Sequence, residues 1–221
     1  MKVFQIGAAG GVGRRLACLL VQRGDQVSGM YRRPEQADTV HDSGAAPIAG
    51  DLISDTVEQL AEKMIGHDAV AFSARAHGTD MDQTTAIDGT GLQKAAQAAE
   101  HAGAKRFVLV SVFPEALRGA AEPSAGFEHY AAAKKEADAY LAGTGLDWVI
   151  VRPGTLTHEQ GTGLVTAGPA VVYGDVPRDD VAAFIAGALS EPEVNRQIVE
   201  LTRGEEPIGR AVSRLADQPR A

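Results

Sequence analysis

The chain has 221 residues, 44% hydrophobic and 23% charged, the balance of a soluble globular protein long enough to bury a sizeable core. Its 21 Lys and Arg against 29 Asp and Glu leave a formal charge of −8, which argues against a nucleic-acid surface, where clustered cations must displace counterions from phosphates. With a single cysteine, Cys18, neither an internal disulfide nor an all-cysteine metal site can form.

The opening MKVFQIGAAGG reads as a strand and turn rather than a signal peptide. Its apolar run is Lys2–Ile6. After a glycine-rich stretch, Val12, Leu16, Leu19 and Leu20 fall at i, i+4, i+7 and i+8, one face of a helix. Cys18 lies in that helix and is expected to be a small buried residue. Further apolar runs at Gln26–Tyr31, Ala46–Ala49, Ala69–Ser73, Arg106–Val110 and Trp148–Val151 alternate with helical stretches at Asp55–Met64, Gln83–Ala102 and Phe127–Ala142. The runs are short and rich in β-branched or aromatic types, as buried parallel strands are. Gly24, Gly66, Gly103 and Gly143 stand where helices would need C-caps. The Ala-rich run Lys94–Ala102 suits a helical core or a dimer face. The alternation predicts an α/β, Rossmann-like doubly wound parallel sheet.

Beyond Pro153 the pattern changes. Gly161, Gly163, Gly168 and Gly174 separate short Thr/Val-rich pieces that read as hairpin-like, followed by a helix at Asp179–Leu189 and a strand at Gln197–Leu201. The expectation is one domain over 1–221, with a cofactor-binding core at 1–153 and a small substrate-facing extension at 154–221. No apolar run approaches the ~20 residues of a membrane span, so the expectation is a cytoplasmic protein with no membrane partner.

Gly7, Gly10 and Gly13, with Gly11 between, fall where the first strand becomes the first helix. A GxxGxxG there permits a sharp turn and the close approach of a dinucleotide diphosphate to backbone amides and the positive end of the helix dipole. Ala9 and Val12 share this loop. NAD binders place an acidic residue about 20 residues past the glycines to hold the ribose hydroxyls. Here the second strand ends in Arg32 and Arg33 instead, which suits a 2′-phosphate and predicts NADP(H) over NAD(H). One Arg could also lie flat on the adenine. Asp51 could accept from the adenine amino group while Leu52 packs on the ring, or Asp51 could cap the following helix.

Tyr130 and Lys134 are four apart, one turn on one helical face. A Lys beside a phenol lowers its pKa from about 10, so Tyr130 could exchange a proton with a carbonyl or alcohol while hydride moves. Ser111, ending the fifth strand, could orient the same oxygen. The six histidines show neither HxxxH nor HExxH spacing, so no metal is expected. No GxSxG elbow is present, which disfavours a serine hydrolase.

Taken with Gly50-Asp51-Leu52, Ala69–Ala74, Lys105–Ser111, Val151-Arg152-Pro153-Gly154, Gly161-Thr162-Gly163 and Arg178-Asp179-Asp180-Val181-Ala182, these motifs make the chain resemble an atypical short-chain dehydrogenase/reductase of the NAD(P)-binding, NmrA-like and flavin-reductase-like branch. The resemblance covers nearly the whole chain. It implies that Ser73 and Ala74 border the centre of the cofactor, that Lys134 holds the nicotinamide ribose, and that Pro153 and Gly154 line the nicotinamide. Where members of this branch carry a second Ser after Ser111, this chain has Val112. The expected activity is NADPH-dependent reduction of a small carbonyl, quinone or flavin-like acceptor by a monomer or small homo-oligomer. The alternatives are a dinucleotide-binding sensor without turnover and a nicotinamide-assisted epimerase or isomerase.

Overall fold

In the computed structural model, residues 1–76, 81–113 and 124–217 are described. The first half builds the alternation in order: β1 (Lys2–Ile6), α1 (Gly13–Gln22), β2 (Gln26–Tyr31), a 3₁₀ turn (Pro34–Gln36), α2 (Ala37–Asp42), β3 (Ala46–Ala49), α3 (Val57–Met64) and β4 (Ala69–Phe72). The long helical stretch then divides into α4 (Met81–Thr84), a π-helical segment (Thr85–Thr90) and α5 (Gly91–Ala102), followed by β5 (Arg106–Val110), α6 (Ala125–Ala142) and β6 (Asp147–Pro153). The remainder is β7 (Thr155–Thr157), β8 (Leu164–Gly168), β9 (Asp175–Pro177), α7 (Arg178–Ser190), β10 (Gln197–Arg203), β11 (Glu206–Pro207) and α8 (Ile208–Ala216).

The nine-stranded sheet runs β11-β8-β10-β6-β5-β4-β1-β2-β3. It is parallel from β3 through β10, with β8 antiparallel to β10 and β11 antiparallel to β8. This is the Rossmann-like arrangement, and the chain reverses its direction of winding between β1 and β4, where such sheets open a crevice for ligand. The C-terminal pieces do not form the expected local hairpins. β7 pairs in parallel with β9 as a separate two-stranded sheet, and β8 pairs with the later β10. Period-2 patterning marks a strand but not its partner, so the partner came from the exposed edge of β10.

Alternate residues of each strand face opposite layers. Phe4 and Ile6 join Leu60, Met64, Leu92, Phe107 and Ile150 on one side. Val3, Val149 and Val151 join Leu16, Leu20, Phe184 and Ile185 on the other. Ala95, Ala96, Ala98 and Ala99 are all buried, so the Ala-rich run is core. The α1 face differs from expectation: Leu16, Ala17 and Leu20 are buried, whereas Leu19 is exposed and Cys18 half-buried. α7 covers only part of α1, and the stripe facing it is centred one residue away from Leu19.

Two glycines hold the first turn tightly. Gly7 has φ +84°, and a Cβ there would stand 2.6 Å from the Ala74 amide nitrogen. A Cβ on Gly13 would lie 2.2 Å from the Gly7 carbonyl oxygen. Gln5, fully buried, donates from Nε2 to the Gly13 carbonyl at 2.6 Å, tying β1 to the start of α1. Gly13→Ala is therefore expected to lower stability by about 2 kcal/mol, through forced displacement of backbone. Gly209→Ala, where an added Cβ meets nothing within 4 Å, should hold or raise the melting temperature. Thermal unfolding of the two variants side by side checks both.

Candidate functional site

A cleft of about 630 Å³ follows the C-terminal ends of β1 to β5. Its floor is the turn after β1, with Gly7, Ala9, Gly10, Gly11 and Val12 on the wall. The Gly10 amide is engaged by the Gly7 carbonyl at 3.0 Å. The Gly11 and Val12 amides, leading into α1, have no backbone acceptor among the described residues, and orphan amides at a helix start suit an anion.

One end of the cleft lies beyond β2 and β3. Arg32 is exposed, and Arg33 forms an ion pair with Glu35 at 3.0 Å. Gln36 folds back so that its Oε1 accepts from both arginine amides, at 3.2 and 3.0 Å. Asp51 and Leu52 line the same end. Asp51 does not cap the next helix. Its Oδ1 accepts from the Ile53 amide at 2.9 Å, and Thr56 caps α3 by accepting from Gln59. A side-chain acceptor three residues before Gln59 suits that helix start better than Asp51, which is five residues further back.

The far end is built by β4, β5 and α6. Ser73 and Ala74 border the middle of the cleft, with the Ser73 hydroxyl donating to the Ile6 carbonyl at 3.3 Å. Ser111, Tyr130 and Lys134 meet on one wall, as the sequence reading expected. The partner of Lys134 was not expected. Its Nζ stands 2.9 Å from Asp88 Oδ1, with side-chain exposures of 2% and 0%. It also donates to the Val110 carbonyl at 3.3 Å and lies 6.0 Å from the centre of the Tyr130 ring. Burial works against the lysine charge, but Asp88, helped by Tyr130 and Asp138, outweighs it and holds the ammonium above its ordinary range. Asp88 sits in the π-helical segment and also accepts from the Ala76 amide at 3.0 Å. An Asp inside the otherwise apolar core face of a helix was the available signal, because a buried carboxylate requires a cation.

One turn past Lys134, Asp138 receives Arg152 Nε at 2.9 Å. Burial raises the Asp138 carboxyl, against the lowering influence of Ser111 and Arg152. The Ser111 hydroxyl is buried on the cleft wall, close enough to the Asp138 carboxylate to stabilise its charge. Above the wall, the Arg75 guanidinium lies 4.7 Å from the centre of the Tyr130 ring. Arg178 packs its side chain over Gly11 and donates to the Leu156 and Thr157 carbonyls at 3.0 and 2.8 Å.

Three sequence-designated residues are not on the cleft wall. Gly13 faces the Gly7 carbonyl, and its role is the close packing of helix on strand. Pro153 and Gly154 are buried, and a Cβ on Gly154 would lie 2.1 Å from the Gly174 carbonyl oxygen. The neighbouring Gly161-Thr162-Gly163 turn is held by carboxylates: Gly161 donates to Asp179, while Thr162 and Gly163 donate to the buried Asp180. Most of the substrate segment at 112–128 that the sequence singled out, residues 114–123, lies outside the described residues.

Among the described residues the cleft lining contains Arg14, Arg32, Arg33, Arg75 and Arg178 but one carboxylate, Asp51, in a chain whose formal charge is −8. The cation excess is concentrated where the bare turn exposes amides. The residues present therefore fit a dinucleotide, a ligand that carries several phosphate charges. Among the described residues no group of three or more His, Cys, Asp or Glu could hold a metal ion, and no helix is long and apolar enough to cross a membrane.

Asp88→Asn leaves the Lys134 ammonium buried without a counter-charge and should cost about 3 kcal/mol. The double variant Asp88→Asn with Lys134→Met, which removes the stranded charge and keeps an acceptor for the Ala76 amide, should be more stable than Asp88→Asn alone. Urea unfolding of the pair reads the difference.

A family model described as NAD(P)H-binding matches residues 7–192. A Bacillus subtilis protein named as an uncharacterized sugar epimerase, YhfK, is 36% identical over 217 residues, covering 97% of this chain and 100% of its own. A solved structure from Bacillus halodurans, provisionally assigned as an NAD-dependent epimerase/dehydratase, superposes with a TM-score of 0.87 at 32% identity, over 97% of this chain and 99% of its own. The oxidoreductase ylbE from Lactococcus lactis superposes with the same TM-score, 0.87, at 29% identity, over 100% of this chain and 99% of its own. The chain therefore belongs to the NAD(P)H-binding family, with atypical short-chain dehydrogenase/reductases and epimerase/dehydratase-like proteins as its structural neighbours.

Proposed function

We propose that this protein is an NADPH-dependent reductase of a small carbonyl, quinone or flavin-like acceptor. The observation that carries the reading is the joining, in one cleft, of an arginine-rich, glycine-floored groove to a wall that presents the Tyr130 phenol and the Ser111 hydroxyl. The Gly11 and Val12 amides with Arg14 would hold the diphosphate, and Arg32 the 2′-phosphate, assisted by Arg33 where it is not engaged by Glu35. Asp51 and Leu52 would meet the adenine, and Ser73 with Ala74 the middle of the cofactor.

When bound, the reduced nicotinamide supplies hydride. Tyr130 donates its phenolic proton to the oxygen of a carbonyl acceptor, and Ser111 donates a hydrogen bond to that oxygen. Lys134, fastened by Asp88, acts as a fixed positive charge one helical turn from the phenol rather than as a group that itself gains and loses a proton.

A second reading, a dinucleotide-dependent sensor without turnover, is favoured by the near-complete engagement of Lys134 with Asp88 and the Val110 carbonyl. The names of the Bacillus relatives favour a third, epimerase-like use of bound nicotinamide. Such an enzyme returns its hydride and consumes no NADPH over a full cycle. A panel of aldehydes, quinones and flavins assayed by NADPH absorbance tests the first against the other two: steady oxidation supports the reductase, and saturable NADPH binding without oxidation removes it.

Tyr130→Phe is expected to lower kcat for a carbonyl acceptor by on the order of a hundredfold or more, with NADPH affinity nearly unchanged. Unchanged turnover of an aldehyde would take Tyr130 out of the chemistry. Arg32→Ala is expected to weaken NADPH about tenfold while leaving NADH unaffected, since a lost charge-assisted contact is worth about that ratio. Equal affinity for both nucleotides in the native chain would remove the 2′-phosphate assignment.

A further inference from the structure

We propose that the acceptor carries an anionic group, a carboxylate or phosphate, held by Arg75 at the Tyr130 end of the cleft. This rests on the reductase reading above and adds the substrate class. Arg75 follows the end of β4, is exposed, and lies with its guanidinium carbon 4.7 Å from the centre of the Tyr130 ring. A guanidinium stacked on a ring is attracted by the negative face and keeps its N–H edge free for a ligand.

No acidic side chain among the described residues pairs with Arg75. Three acids are committed to other cations. Asp88 is occupied by Lys134 and the Ala76 amide, Asp138 by Arg152, and Glu159 by Arg203. The other cleft arginines have places along the cofactor. Arg32 and Arg33 stand beyond β2, Arg14 follows the glycine turn, and Arg178 is packed on Gly11 and tied to two carbonyls. Arg75 is thus a further cation at the end where Tyr130 stands. Burial, then the charges of Arg15 and Arg75, press down on the proton affinity of Arg178, so Arg75 adds to the positive field on this side of the cleft. Leu156 and His158 also line the cleft.

The test uses the full chain and three measurements. NADP⁺ is titrated into the native protein and Arg75→Met by calorimetry. Benzoate, and separately inorganic phosphate, is then titrated into each NADP⁺-saturated protein. NADPH oxidation is followed with para-carboxybenzaldehyde and with benzaldehyde. The expected result is NADP⁺ affinity within about twofold in the variant, saturable benzoate or phosphate binding to the native complex, and its loss by about tenfold or more in Arg75→Met, the size of one charge-assisted contact. The KM ratio of para-carboxybenzaldehyde to benzaldehyde should rise by the same factor. Arg75→Lys, which retains the charge without the fork, should fall between. If Arg75→Met weakens NADP⁺ tenfold and leaves the aldehyde ratio unchanged, the anion is the cofactor's own diphosphate and the proposal fails. NADP⁺ binding with no benzoate or phosphate binding in the native complex overturns the proposal alone. No saturable nucleotide binding overturns the reductase reading together with it.

Discussion

The Lys134–Asp88 ion pair is the contact through which the Tyr130 end of the cleft is assembled. It joins α6 to the π-helical segment, reaches the end of β5 through the Val110 carbonyl, and reaches the strand-end segment after β4 through the Ala76 amide. An ion pair so deeply buried contributes little net stability compared with apolar packing. Its value is positional: four pieces of chain distant in sequence are held to one geometry, because any misplacement strands a charge in low dielectric. The extra residue in a π-helical turn rotates Asp88 into the core, and such turns recur at functional sites.

The glycine turn sets the other end. Gly7 and Gly13 are required by the protein's own backbone, since side chains there would strike Ala74 and the Gly7 carbonyl. Gly10 and Gly11 stand on the cleft wall. The loop therefore answers two constraints at once: it packs β1, α1 and the end of β4 within contact distance, and the same compaction presents unpaired amides to the groove. The arginines complete this surface. They make a locally cationic cleft in an acidic chain, so the average charge is a guide to solubility and not to the ligand.

The same residues also show why one motif can carry different readings. Tyr130, Ser111 and Lys134 line the same cleft, yet the lysine is closed in by Asp88 while the serine hydroxyl lies beside the Asp138 carboxylate. Reductase, sensor and epimerase readings differ in whether a second molecule enters beside the dinucleotide. That question turns on the surface near Arg75 and His158 rather than on the glycine turn.

Much of the architecture was legible in the sequence. Short β-branched runs alternating with amphipathic stretches suffice for the parallel core, because each run must be buried on both faces and each helix on one. The glycine spacing and the Arg32–Arg33 turn were legible for the same local reason: backbone shape and charge type are properties of a few adjacent residues. Asp88 as the partner of Lys134, Arg75 on Tyr130, and Arg178 over Gly11 were not legible. Each joins residues separated by dozens of positions, and Asp88 faces its lysine only because of one π-helical turn. The pairing of β8 with β10 rather than with a neighbour was equally hidden, because a strand's alternation records which face is buried and not which edge it meets. Local patterning therefore determined the elements and the glycine turn, whereas long-range packing decided which charges were neutralised and which were left facing the cleft.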